Sequence, residues 1–216
     1  LGMSNGTVIE EILNALHGVS YRVKLGILQA GNYGLPQNRW RVFIFAALES
    51  EELPKFPEPT HRFPRTTIFG AKKFRESILR APEEGLFWKP KDTVTVGDAI
   101  SDLPMIENGH GSEITLYEAE PQGTYQRLLR NGSGKLFDHV CTKMGPVMME
   151  RIREVPKRPG AGWLDLPDHL KPKNLAKHGD KRYDNRFGRL HWKGIFNTIL
   201  TKPEPYWGRV IHPEQD

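Results

Sequence analysis

Apolar residues at Val8, Ile9, Ile12, Leu13 and Leu16 recur with the 3.6-residue period of an amphipathic helix and predict a helix over Thr7 to Leu16. Thr7 followed by Glu10 fits a capping box, and Gly18 stands where helices commonly stop. The period then falls to two: Tyr21, Val23, Leu25 and Ile27 alternate with Arg22, Lys24 and Gly26, as in a half-buried strand. Val42 to Ala47 is a continuous apolar run that suits a short strand covered on both faces, although a brief helix has the same signature at this length. The loop between the two runs to roughly eleven residues, long for a hairpin and of a length that compact domains reserve for function. Gly31, Gly34 and Pro36 break any regular structure in it.

After Leu48 the texture changes. Pro54, Pro57, Pro59 and Pro64 exclude a central strand or helix and mark a boundary near Leu53. Thr95 to Leu103 predicts a short helix capped by Thr95 with Asp98 and ended by Pro104, and Thr124 to Arg130 predicts another. Pro146 to Val155 carries helical spacing at Val147, Met148, Ile152 and Val155, with Met148 and Met149 as core filler. Phe196 to Thr201 and Arg209 to Ile211 read as late strands separated by the Lys-Pro-Glu-Pro turn. The whole is a mixed α/β chain.

The 216 residues, 38% apolar, allow one ordinary core or a modest core with an appended unit. Lys plus Arg is 31 against 26 for Asp plus Glu, and the resulting +5 favours polyanionic partners. A single cysteine excludes an internal disulfide framework and a cysteine-rich zinc site, and no metal site is expected. Without an apolar run of membrane-spanning length or a basic-then-apolar leader, the expectation is a soluble intracellular protein with no membrane partner.

Two stretches carry candidate chemistry. Gln37, Arg39 and Arg41 alternate with Asn38 and Trp40, so if the chain is already extended there, an amide and two guanidinium forks share one face. That set matches phosphate oxygens or a nucleobase edge; an arginine-bearing strand edge that points to water has the same pattern. From His169 to Lys193 the chain holds Lys171, Lys173, Lys177, Lys181, Arg182, Arg186, Arg189 and Lys193 against Asp180 and Asp184, an excess of six that surpasses the net charge of the whole chain. Tyr183, Phe187, His191 and Trp192 are interleaved with those cations, the mixture of a surface that meets phosphate and base together, or of a solvated lysine-rich loop.

NYGLPQNRWRVFIFAA resembles the segment of DNA cytosine-5 methyltransferases in which Gln-x-Arg-x-Arg leads into a strand. YEAEPQGTYQRLLR, DHVCTKM, RIREVPKRPGAGWLDLP, FGRLHW, TKPEP and GRVIHPEQD follow in the order and spacing of eukaryotic maintenance-type enzymes. The resemblance covers essentially the whole chain. It implies the C-terminal strands of a Rossmann-like methyltransferase sheet at residues 1–52, a smaller, mostly irregular and β-rich target recognition domain at 53–202, and a return to the catalytic domain at 203–216.

In that family a Pro-Cys thiolate attacks C6 of a flipped cytosine, a glutamate assists at N3, and S-adenosylmethionine supplies the methyl group. Cys141 follows valine and falls in the recognition region, so it is not expected to be the nucleophile. The chain is expected to be part of a larger enzyme, with the remainder of the methyltransferase domain as its partner and no methyl transfer in isolation. By resemblance Arg41 contacts the O2 carbonyl of the flipped cytosine, while Arg39 and Gln37 brace the site or the DNA backbone. The stretch before Gly188 corresponds to a first recognition loop and Thr201 to Gly208 to a second. Lys177, Lys181, Arg182, Tyr183, Arg186, Arg189, Tyr206 and Trp207 are the expected contacts to duplex DNA. The chain departs from the mammalian pattern in a shorter insertion before FGRL. A eukaryotic source implies a nuclear location. The alternatives are a catalytically inert DNA-binding module that regulates an active subunit, and a general RNA or single-strand binder.

Overall fold

A computed structural model describes residues 6–64, 71–85, 88–177 and 183–216, so Lys181 and Arg182 lie outside the described residues. The chain is mixed α/β and divides into two compact units, Leu1–Thr93 and Val94–Asp216. The division falls later than the proline-rich boundary near Leu53.

In the first unit, α1 (Thr7–Gly18) leads into β1 (Tyr21–Gln29), which pairs antiparallel with β2 (Trp40–Leu48) from Tyr21↔Leu48 to Gln29↔Trp40. Directly opposed residues share a face, so Lys24, Gly26 and Leu28 lie with Arg41, Phe43 and Phe45, whereas Leu25, Ile27 and Gln29 lie with Trp40, Val42 and Ile44. The proline-rich chain is irregular, as expected, yet it packs on this hairpin. Phe56 stacks on Phe45 with centroids 4.5 Å apart, and its ring fills the space of the missing Gly26 side chain, where a Cβ would lie 2.6 Å from Phe56 Cζ. Fully buried Ile27 bridges Ile78, and its carbonyl accepts the Leu79 N–H at 3.0 Å.

Two expectations for this unit are corrected. Helix α1 starts after Gly6, whose φ of 89° is left-handed, and no side chain caps it; Glu10 instead pairs with Lys73 at 2.9 Å. Val42 to Ala47 does form a strand, but a half-buried one with Phe43 and Ala46 exposed, and among the described residues β2 pairs with β1 alone.

The second unit contains α2 (Val96–Ile100), β3 (Gly111–Leu116), α3 (Thr124–Arg130), β4 (Lys135–Val140), α4 (Pro146–Glu154), α5 (Lys173–Ala176), β5 (Gly188–Arg189) and β6 (Arg209–Ile211). The capping box of α2 is realised: Thr95 Oγ1 accepts the Asp98 N–H, and the Asp98 carboxylate accepts the Thr95 N–H. Strands β3 and β4 pair antiparallel around α3, and β5 pairs parallel with β6. Phe196 to Thr201 is irregular instead of a strand, and Ile199 and Leu200 stand about half exposed. The core gathers Ile152 and Val155 from the end of α4 with Trp163, Leu166, Leu170, Leu175, Phe187 and Ile211, and Met148 and Met149 pack against it.

Arg189 is the polar centre of this core. Its side chain is 1% exposed, and its guanidinium donates to the carbonyls of Ile152, Val155, His212 and Gln215 and to the Asp216 carboxylate, all at 2.8–3.1 Å. Ile152 and Val155 present the carbonyls that the last turn of α4 leaves without helical partners, at the negative end of the helix dipole. Arg189 therefore ties α4 to the C-terminal segment, and with every donor spent inside the protein it is withdrawn from the expected DNA contacts.

Next to it, His212 Nδ1 accepts the N–H groups of Glu214 (3.2 Å) and Gln215 (3.0 Å), which requires an unprotonated nitrogen. Burial pushes the His212 pKa down; Glu214 opposes this, Arg189 and Lys157 reinforce it, and the net direction is downward.

Arg189→Lys keeps the charge but loses the fork and orphans several carbonyls, so urea denaturation should show a loss of ~3 kcal/mol. An unchanged midpoint accompanied by weaker DNA binding would restore Arg189 as a phosphate contact. For His212, a pKa lower in the folded than in the unfolded state means that unfolding takes up a proton. Its stabilisation is complete above the ordinary value of 6.5 and is lost as the pH falls below it. The urea midpoint should drop between pH 7 and pH 5, and His212→Gln, which keeps an acceptor, should flatten that drop.

Candidate nucleic-acid interface and arginine loop

The loop that joins β1 to β2 is held from its two ends by one side chain. Gln29 ends the buried face of β1 and is itself 0% exposed. Its Oε1 accepts the N–H of Gly31 at 3.4 Å and of Arg39 at 2.8 Å, and its Nε2 donates to Asn38 Oδ1 at 2.8 Å. The backbone closes the same gap, since the Ala30 N–H donates to the Arg39 carbonyl at 3.0 Å. In between, Ala30–Tyr33 forms a 3-10 turn that ends at Gly34, whose φ of 87° favours glycine. Asn32, 5% exposed, donates through Nδ2 to the Leu79 carbonyl and accepts at its own carbonyl from the N–H groups of Thr60 and His61. At Gly31 a Cβ would sit 1.8 Å from Phe63 Cδ2, so only glycine lets the phenyl ring close over the turn.

This frame fixes where the three expected residues stand. Gln37 lies in an isolated bridge, Arg39 is half-buried and outside any strand, and Arg41 is the second residue of β2. The three do not lie along one continuous strand, because regular pairing starts only at Trp40. Arg41 is exposed, and its Nη1 donates to the Trp40 carbonyl at 2.7 Å. Among the described residues no carboxylate lies within ion-pair distance of Arg39 or Arg41. Among the described residues the Arg41 side chain makes one hydrogen bond, to the Trp40 carbonyl. Arg80 stacks over the neighbouring Trp40 ring at 5.8 Å.

In the second unit the structure brings together four of the expected DNA contacts. The Phe187 N–H donates to the Pro205 carbonyl at 2.7 Å and the Gly188 N–H to the Gly208 carbonyl at 3.3 Å, which joins the segment before β5 to the segment before β6. Arg186 consequently lies 5.4 Å from the Tyr183 ring, 5.6 Å from Tyr206 and 4.8 Å from Trp207, and its Nη1 donates to the Tyr206 carbonyl at 2.7 Å. Tyr206 and Trp207 meet edge to face at 5.0 Å, with Trp207 41% exposed. Each cation–ring contact contributes about 0.5–2 kcal/mol and holds the guanidinium rigid while part of an indole remains open for stacking. Lys177 stands exposed at the end of α5, and Arg189 is buried as described.

The cleft of about 540 Å³ in the second unit is lined by Ile100, Leu103, Met149, Pro203 and Val210, with Cys141 on its wall. Cys141 Sγ faces the carbonyl of its neighbour Thr142 at 3.5 Å. Among the described residues no group of three or more His, Cys, Asp or Glu side chains gathers to hold a metal, and no helix is long and apolar enough to cross a membrane.

The sequence reading missed Gln29, Asn32 and the Gly31–Phe63 closure. The signal for Gln29 was present, since it continues the odd-numbered series Tyr21, Val23, Leu25 and Ile27 and so puts an amide on the apolar face of the strand.

The family model for C-5 cytosine-specific DNA methylases matches residues 1–177. DNA (cytosine-5)-methyltransferase 2 of Arabidopsis thaliana is 34% identical over 230 residues, which cover 99% of this chain and 15% of that protein. DNA (cytosine-5)-methyltransferase 4 of the same plant is 35% identical over 230 residues, with the same coverage of 99% and 15%. DNA (cytosine-5)-methyltransferase 1 of Gallus gallus is 33% identical over 270 residues, covering 96% of this chain and 17% of that protein. The chain thus spans about a sixth of the length of these relatives. The family match takes in the whole arginine loop, and the relatives align over both units, so the chain belongs to the C-5 cytosine-specific DNA methylase family.

Proposed function

We propose that this chain is the segment of a maintenance-type DNA cytosine-5 methyltransferase that recognises the DNA target and contributes a cytosine-contacting arginine. The observation that carries the reading is the clamped loop, which presents Arg41 at the start of β2 with no carboxylate partner among the described residues. Arg41 donates to the O2 carbonyl of a flipped cytosine, where negative charge develops as a nucleophile adds to C6. A guanidinium suits that role because it is always protonated, forked and weakly hydrated. A preorganised donor aimed at developing charge contributes ~3 kcal/mol to the barrier. Arg39 and Gln37 brace the site or the DNA backbone.

Residues 53–202 act as the target recognition domain, and 203–216 return to the catalytic domain. Tyr183 and Arg186 from that range and Tyr206 and Trp207 just after it form a stacking and phosphate-binding patch, while Lys177, Lys181 and Arg182 add electrostatic contacts to duplex DNA. In a eukaryote the enzyme works in the nucleus.

The family uses S-adenosylmethionine, which supplies the methyl group. The described clefts do not fit it. The cleft of the second unit has no Phe, Tyr or Trp ring to stack an adenine, its histidines His139 and His212 being engaged with the Pro104 carbonyl and with the Glu214 and Gln215 N–H groups, and in the 410 Å³ cleft of the first unit Glu84 pairs with Arg62 while Phe63 closes on Gly31. The cofactor loop, the Pro-Cys nucleophile and the Glu-Asn-Val glutamate are therefore contributed by other residues of the assembled enzyme, from the same polypeptide or a second subunit.

The test uses that assembled enzyme. Arg41→Ala removes a contact that strengthens in the transition state, so turnover at saturating DNA should fall about 100-fold with DNA affinity changed less than about 3-fold. Lys177→Ala should do the reverse, weakening binding and lowering the log–log salt slope by about 0.9 while leaving saturated turnover intact. Loss of affinity alone in Arg41→Ala would make Arg41 a phosphate ligand and favour an inert DNA-binding module.

A further inference from the structure

We infer that Gln29 is a positioning residue for the arginine loop, its buried amide setting the backbone from which Arg39 and Arg41 reach the DNA. The inference rests on the reading of Arg41 above. Three observations carry it. Gln29 has no solvent exposure, so its amide must be satisfied inside the protein. Its three hydrogen bonds go to the first residues of the loop and to the last: Gly31 on entry, Asn38 and Arg39 on exit. From Arg39 the path to the functional guanidinium crosses a single residue, Trp40, whose carbonyl accepts from Arg41 Nη1 at 2.7 Å.

The chemistry selects glutamine. Backbone N–H groups only donate, so the oxygen of the amide must face Gly31 and Arg39, and its nitrogen is left to face Asn38 Oδ1. One side chain thereby supplies an acceptor for two donors and a donor for one acceptor at a fixed reach from β1. Asparagine is one methylene short of Arg39. Methionine matches the length but leaves both N–H groups without a partner. Glutamate retains the double acceptor, and Asn38 can turn its own amide to donate to the second carboxylate oxygen. Arg39 and Asn38 stand inside the Gln-x-Arg-x-Arg stretch, so loosening the clamp moves the start of β2 and the arginine it presents. A displacement of about 1 Å at a transition-state donor is enough to cost tens of fold in rate.

The experiment compares Gln29→Met, Gln29→Glu, Arg41→Ala and the Gln29→Met/Arg41→Ala double variant in the assembled enzyme, with saturated turnover, the DNA dissociation constant and the melting midpoint as readouts. Gln29→Met should lower turnover about 10-fold or more with the dissociation constant within about 3-fold, and Gln29→Glu should restore turnover to within about 3-fold of the unmodified enzyme. In the double variant, Gln29→Met should add less than about 2-fold to the loss from Arg41→Ala, because the two act through one contact. A fully additive double variant, or a Gln29→Met enzyme that melts earlier but turns over normally at a temperature where it is folded, overturns the inference and leaves Arg41 in place. Normal turnover in Arg41→Ala overturns the reading of Arg41 and the inference together. If Gln29→Met does not fold, Asn38→Ala removes the acceptor from the same clamp and carries the same comparison.

Discussion

A buried amide at the end of β1 is the constraint on which the first unit depends. Ten residues separate Gln29 from its register partner Trp40, and a loop of that length has many backbone arrangements of similar energy. The Gln29 bonds to Gly31, Asn38 and Arg39 select one of them. They do so because an arrangement that loses any one contact leaves a polar group stranded in a dry environment, a penalty of ~1–3 kcal/mol. The Asn32 bonds to Leu79, Thr60 and His61 then attach the turn to the proline-rich chain. Structure and chemistry meet here: the same bonds that define the hairpin define where the Arg41 guanidinium, which has no carboxylate partner among the described residues, is displayed.

The second unit uses a charged side chain in the equivalent way, but for stability. Arg189 places a guanidinium among carbonyls at the C-terminal end of α4, where the helix dipole and the unpaired carbonyls favour positive charge. Arg186, three residues earlier, faces three aromatic rings and a single carbonyl, that of Tyr206, and keeps part of its environment open. Two arginines close in sequence thus have opposite tasks, decided by the turn at Phe187, whose φ of 49° swings the chain between them.

Much of this was legible in the sequence where local chemistry decides. The alternation from Tyr21 to Ile27, the Thr95–Asp98 capping box and the limits of α3 at Thr124 and Arg130 all appear as the pattern predicts. What escaped is set by distant partners. Strands β3 and β4 are mostly exposed and are separated by α3, and the apolar alternation in them is too short to mark a strand, Ile114 and Leu116 being all that β3 offers. The apolar run at Phe196 to Thr201 looked like a strand and is not one; Ile199 and Leu200 have no face to bury against among the described residues. Arg189 was counted by charge, although its setting between Phe187 and Leu190, both buried, already hinted at an interior position. Thr7 and Glu10 had the spacing of a cap, but Gly6 took the N-terminal position and Lys73 claimed the carboxylate.

The clamp is tested most directly by amide hydrogen exchange at Gly31 and Arg39, read residue by residue by NMR. Two N–H groups bonded to a buried amide oxygen should exchange as slowly as the paired amides of β1 and β2, and Gln29→Met should bring both to loop-like rates while leaving the ladder amides protected. Fast exchange at Arg39 in the unmodified protein would contradict the account, because the loop would then be free and the position of Arg41 would not be set by Gln29.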